Sequence, residues 1–173
     1  MVTALALRMG RLSGMGRDQL QFIEEASMLH DIGIVRTDAP GIGCKGSQPY
    51  IAHVEEGRKI LEAEGLPAHA QVAATHVGLG GLSAEDIRAQ QLPLPQRDFL
   101  SHTDEERIIS LADLFFSKNP QKLFATKKLE KVRRKLYERS PKLGRRLDEW
   151  AIRFHLREAL PTSALDVAAN TST

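Results

Sequence analysis

Apolar residues return every three or four positions along most of this chain, and glycine or proline interrupts them at intervals. Val2, Leu5, Ala6 and Met9 make one stripe, Leu20, Ile23, Ala26 and Leu29 a second, and Ile51, Val54, Ile60 and Leu61 a third. A side chain comes back to the same face of an α-helix roughly every 3.6 residues, whereas a half-buried strand needs strict alternation. No run of alternating β-branched and aromatic residues exceeds a few positions. The pattern therefore predicts an all-α fold.

The interruptions place the helices. The first covers 1–12 and ends in the Gly14–Gly16 stretch; the second covers 18–31, with Asp18 as N-cap and Gly33 as a left-handed stop. Residues 34–49, rich in Gly, Pro, Asp and Ser, read as a loop. Helices follow over 49–64, terminated by Gly65, and from Pro67 to about His76. Ser83 with Asp86 and Thr103 with Glu106 are capping pairs for a short helix to Gln91 and a longer one through Phe115. Beyond Pro120 come helices over 125–139 and 141–159, parted by Ser140–Pro141. A chain of 173 residues then divides into one domain over 1–120, a helical extension over 121–160 that packs on it, and a tail over 161–173 with too little to bury to be ordered. The formal charge of +2 conceals an uneven distribution, −6 over 1–117 against +10 over 118–157.

With 42% hydrophobic and 27% charged residues, wholesale disorder and collagen-like repetition are excluded. No apolar run approaches the ~20 residues that span a bilayer, so neither a membrane partner nor a signal peptide is expected. A lone cysteine, Cys44, rules out an intrachain disulfide framework and fits a cytoplasmic location. There is no Gly-rich phosphate loop of P-loop type, no GxSxG elbow and no cysteine-based catalytic grouping.

The chemistry concentrates in Leu29-His30-Asp31-Ile32-Gly33, where an apolar helix delivers an imidazole and a carboxylate at its last turn. Neighbouring helical side chains diverge by about 100°, so both meet one ion only near a helix end. A divalent cation and a plain His–Asp hydrogen bond account equally well for such a pair. Asp113 interrupts the apolar stretch Ile108–Phe116, and an inward carboxylate there needs a cation or strong donors. His53 and His76 can be ligands or core histidines with a hydrogen-bonded partner.

The segments ASMLHDIG, PYIAHVEEGRKIL, AATHVG and RIISLADLFFSK, in that order, resemble the HD superfamily of metal-dependent phosphohydrolases in its HDIG form. The likeness covers about residues 1–120 and is strongest to small bacterial members whose following loop also reads TDAPGIG. It implies an HD-type helical bundle in which His30 and Asp31 are the signature pair, catalytic through the metal, and Asp113 closes the same site. It further implies that His53 and His76 bind a second metal, with Asp31 bridging, and that the cofactor is one or two divalent ions (Mn, Fe, Mg, Co or Ni). Family members open the domain with a histidine that completes the first site; this chain starts at Met1, a few residues past that position. The expectation is an upstream start, a trimmed chain, or a first metal held with more water. Many relatives carry lysine directly after HDIG as a phosphate contact, where this chain has Ile34. Arg36, Lys45 and Lys118 are then the candidate phosphate contacts.

The resemblance points to hydrolysis of a phosphate ester or anhydride of a small molecule, foremost a nucleotide. Two other readings stand beside it. A minority of the superfamily uses two irons for oxygen-dependent cleavage. Alternatively the domain binds without catalysis, its basic stretch of Lys127, Lys128, Lys131, Arg133, Arg134, Lys135, Arg145 and Arg146 facing nucleic acid. Nucleic acid is the weaker partner, because interleaved Leu129, Val132, Leu136, Leu143 and Trp150 suit packing on the domain or on a second subunit of a homodimer. His69, His102 and His155 are not expected to ligate.

Overall fold

The computed structural model describes residues 1–165. Among these, nine α-helices and two antiparallel two-stranded ribbons form an all-α fold. The helices are α1 Val2–Leu12, α2 Arg17–Leu29, α3 His53–Ala63, α4 Pro67–Thr75, α5 Ala84–Ala89, α6 Asp104–Asp113, α7 Leu129–Arg139, α8 Pro141–Arg153 and α9 Leu156–Ala159. Strands β1 Asp38–Ala39 and β2 Cys44–Lys45 pair through Asp38 opposite Lys45, and β3 Gly81–Leu82 and β4 Phe99–Leu100 through Gly81 opposite Leu100. No helix among the described residues is long and apolar enough to cross a membrane.

Capping explains most boundaries. Ser83 Oγ accepts the Asp86 N–H at 3.0 Å and Asp86 Oδ2 accepts the Ser83 N–H at 3.0 Å, which closes the first turn of α5. Thr103 Oγ1 accepts the Glu106 N–H at 3.3 Å at the start of α6. Asp18, expected as the N-cap of α2, instead lies in its first turn: Gly16 is the cap, and its N–H is accepted by Gln19 Oε1 at 3.1 Å. The loop expected over 34–49 is more structured, containing a 3-10 turn over Ile32–Arg36 and the β1–β2 ribbon closed by left-handed Gly43.

The helix expected over 141–159 is two. His155 adopts a left-handed φ of 52° between α8 and α9, and the bend buries Phe154 together with Leu156 and Ala159. A straight helix would have rotated one of these into water. The tail expected to fray from Pro161 stays ordered as far as Leu165, since Ala164 is fully buried in a 3-10 turn; the rest of it, 166–173, lies outside the described residues.

The main core gathers Leu5 and Met9 of α1, Ile23 of α2, Ile108 and Leu111 of α6, Leu136 of α7 and Leu147 of α8 into one cluster. Two smaller clusters flank it. Val54, Ile87 and Phe99 make one, and Leu61, Ala70 and Ala73 the other. This packing brings one end each of α2, α3, α4 and α6 to a common point.

Candidate metal centre

Every side chain at that point stands at a helix end. His30 follows the last residue of α2, His53 is the first residue of α3, His76 follows the last residue of α4, and Asp113 is the last residue of α6. The final carbonyls of a helix have no intrahelical partner, so a donor close by in sequence is favoured. The histidines supply it: Nδ1 of His30 lies 2.7 Å from the Ser27 carbonyl and Nδ1 of His76 lies 2.9 Å from the Ala73 carbonyl. His53 repeats the same offset on the 3-10 turn before α3, its Nδ1 2.6 Å from the Tyr50 carbonyl. A carbonyl can only accept, so each Nδ1 carries the proton. A ring that is neutral then turns a bare Nε2 lone pair inward.

These lone pairs face a carboxylate and one another. His30 Nε2 lies 3.0 Å from Asp31 Oδ2 and 3.5 Å from Asp113 Oδ1. His76 Nε2 and His53 Nε2 lie 3.4 Å and 3.6 Å from Asp31 Oδ1, and 3.2 Å from each other. All three histidines are buried. Acceptors packed against acceptors repel unless a cation or a proton sits between them. Two of these buried atoms, His30 Nε2 and Asp31 Oδ1, have no hydrogen-bond partner among the described residues. One ligand atom each from His30, Asp31 and His76 falls within 4.8 Å of the others, a grouping that could hold a metal ion. Imidazole nitrogen with carboxylate oxygen is a donor set suited to divalent transition metals. The helix dipoles add to this, because α2, α4 and α6 all point their negative C-terminal ends at the site.

Gly33 makes the convergence possible, though not as the left-handed stop expected of it. It is absent from the positive-φ positions of the described chain and sits in the 3-10 turn after α2. A Cβ there would stand 2.1 Å from the His53 carbonyl oxygen and 2.3 Å from the Gly57 nitrogen. Glycine lets the His30–Asp31 turn lie directly on the backbone of α3, which sets His53 beside Asp31.

Charge follows from the geometry. Burial presses the His30 pKa down, but the carboxylates of Asp113 and Asp31 outweigh it and lift it to about 10. His53, desolvated and next to His76, is pushed down to about 4. Burial would raise both carboxyls; the facing imidazoles, above all His30, hold Asp31 far below the usual range, and His30 and Lys118 hold Asp113 at about 2.

No protein-family model matches this chain, and no solved structure matches it. The properties of the site are accordingly those of its own side chains.

Of the expected phosphate contacts, Lys118 alone reaches the centre. Its Nζ lies 2.9 Å from Asp31 Oδ2 and 5.8 Å from the Tyr50 ring, and Asp113 and Asp31 overcome its burial to raise its pKa. Arg36 is instead paired with Glu56 at 3.0 Å, and Lys45 is exposed on β2 opposite Asp38. The partner of Arg36 belongs to α3, and Lys45 has no ion-pair partner among the described residues. His69 pairs with Glu25 at 3.2 Å, and His102 and His155 are exposed.

Two participants were not singled out from sequence. Tyr50 orients His53 through a backbone carbonyl, which no residue type reveals. Lys127, grouped with the surface cations, donates through Nζ to the carbonyls of Leu114, at 2.8 Å, and Phe116, and so ties down the segment carrying Lys118. A cavity of about 950 Å³ opens over His30, Asp31 and Asp113, with Lys118 and Lys127 in its wall and Ile42 and Phe124 among its apolar lining.

Proposed function

We propose that this chain is a metal-dependent phosphohydrolase of HD type that cleaves a phosphate ester or anhydride of a small molecule, foremost a nucleotide. The observation that carries the reading is the set of three imidazoles, each held by its own i−3 carbonyl, whose lone pairs meet on Asp31 at the floor of an open cavity. His30, Asp31 and His76 are the first ligands, and His53 and Asp113 extend the set. The two oxygens of Asp31 face different partners, Oδ2 towards His30 and Oδ1 towards His53 and His76, which supports a bridging carboxylate and two ions drawn from Mn, Fe, Mg, Co or Ni. When bound, such ions supply Lewis acidity and make water acidic enough to ionise near neutral pH. The chain does the rest. Asp31 and the imidazoles fix the donor positions, and Lys118, freed from Asp31, offers its ammonium to a phosphate oxygen at the cavity floor. Lys127 holds the Leu114–Phe116 carbonyls so that Lys118 and Asp113 keep their places.

The test is turnover of a nucleotide and phosphomonoester panel with Mn²⁺ added to metal-stripped protein. The reading expects metal-dependent release of inorganic phosphate without oxygen consumption, abolished by Asp31→Ala. Turnover that survives Asp31→Ala, or oxygen uptake by the iron-loaded protein, overturns it. Lys118→Ala should raise KM at least about tenfold and leave the metal content unchanged.

A further inference from the structure

The apolar sides of α7 and α8, expected to pack on the domain or on a second subunit, are used within the chain: Leu129, Val132, Leu136 and Leu147 are all buried in the main core. A different face is open. Along α2, Arg17, Gln21, Glu24 and Met28 follow at helical spacing and are exposed, Met28 by 73%. They border a groove of about 800 Å³ between α1 and α2, lined also by half-buried Leu7 and Leu20 and by Arg11 and Glu25.

The charges on this face are sorted by position. Arg11 and Arg17 lie at the α1–α2 turn, and Glu24 and Glu25 about two turns further along α2. Glu25 is engaged by Gln21 and His69, whereas Arg11, Arg17 and Glu24 have no ion-pair partner among the described residues. Arg17 and Glu24 stand seven residues apart, roughly 10 Å along the helix, too far to pair with each other. A surface with one sign at each end and apolar atoms between is complementary to itself after a two-fold rotation. An axis through α2 between Leu20 and Gln21 sets Arg17 against Glu24 of the partner subunit. The same rotation lays Met28 over the partner's turn at Ser13–Gly16, where Gly14 has no heavy atom within 4 Å of its Cβ position.

We propose that the α1–α2 face is a two-fold interface between two copies of this chain. The claim is independent of the metal centre. It is tested by sedimentation velocity on the full chain across micromolar concentrations, with circular dichroism confirming that each variant is folded. The wild-type protein should sediment with twice the mass of one chain. Arg17→Glu and Glu24→Arg should each weaken the dimer by about tenfold or more, and the double reversal Arg17→Glu/Glu24→Arg should recover it to within about threefold, since the rotation restores every pair. A monomeric wild type, single reversals without effect, or a double reversal no better than the singles each overturns the proposal.

Discussion

At the scale of single residues, what distinguishes His30, His53 and His76 is the use made of Nδ1. Each ring donates to a carbonyl three residues earlier, which leaves Nε2 as the only nitrogen free to bind. With no metal present a proton substitutes, and it resides on His30, whose pKa is about 10. Metal binding must displace it. Calorimetric titration of Mn²⁺ at pH 8 in buffers of different ionisation enthalpy should therefore report release of about one proton per chain, and His30→Gln should abolish the release. The same shifts set the stability of the metal-free protein. The folded pKa of His30 is above its ordinary 6.5, so its contribution is complete below pH 6.5 and disappears as pH rises through about 10. His53 is shifted the other way, to about 4: as pH falls from 6.5 the unfolded chain takes up a proton that the folded chain refuses, and stability drops. Scanning calorimetry of chelator-treated protein should show a maximum Tm near pH 6.5, with His53→Gln flattening the acid limb and His30→Gln the alkaline one. His30, Asp31 and Asp113 were visible as chemistry in the sequence, because a carboxylate or imidazole inside an apolar period is out of place. Tyr50 was not, because its contribution is a carbonyl.

At the scale of elements, the centre depends on two short connections. The His30–Asp31 turn lies on α3 with no room for a methyl group at residue 33: all three atoms that a Cβ would strike, the His53 oxygen and the Gly57 nitrogen and Cα, are backbone and cannot rotate away. Gly33→Ala should cost about 3 kcal/mol or more in urea unfolding and remove Mn²⁺ binding with it. The sequence offered this glycine as a helix stop, and both roles look the same along the chain; only the approach of α3 separates them. Lys127 is the second connection. Lys127→Met keeps the length of the side chain but loses the donors to Leu114 and Phe116, and should cost about 1 kcal/mol while raising KM for phosphorylated substrates more than it lowers kcat. The periodicity located α1 to α6 to within a few residues. It missed the break between α8 and α9, where apolar residues continue at helical spacing but His155 turns left-handed so that Phe154 and Leu156 both reach the core.

At the scale of the whole molecule, the basic helices are part of the main core rather than an appendage beside it. Leu147 of α8 is fully buried in the cluster that holds Leu5 of α1 and Leu111 of α6. Leu147→Ala should therefore destabilise the entire described chain by about 2–5 kcal/mol in a single cooperative urea transition, not two. Part of the +10 segment is also engaged internally, with Arg133 on Asp148 at 2.7 Å and Arg146 on the Leu79 carbonyl at 2.9 Å. The order of residues by itself determined that the chain is helical, where most helices start and stop, and that His30 and Asp31 lie at a helix end, because period and capping are local properties. It could not decide which distant side chains share one point. That depended on how α3 lies against the His30–Asp31 turn and on where α4 and α6 end, and these follow from packing between segments dozens of residues apart. The same packing separated Lys118, drawn in by two carboxylates, from Arg36, paired with Glu56 of α3, and from Lys45, exposed on β2.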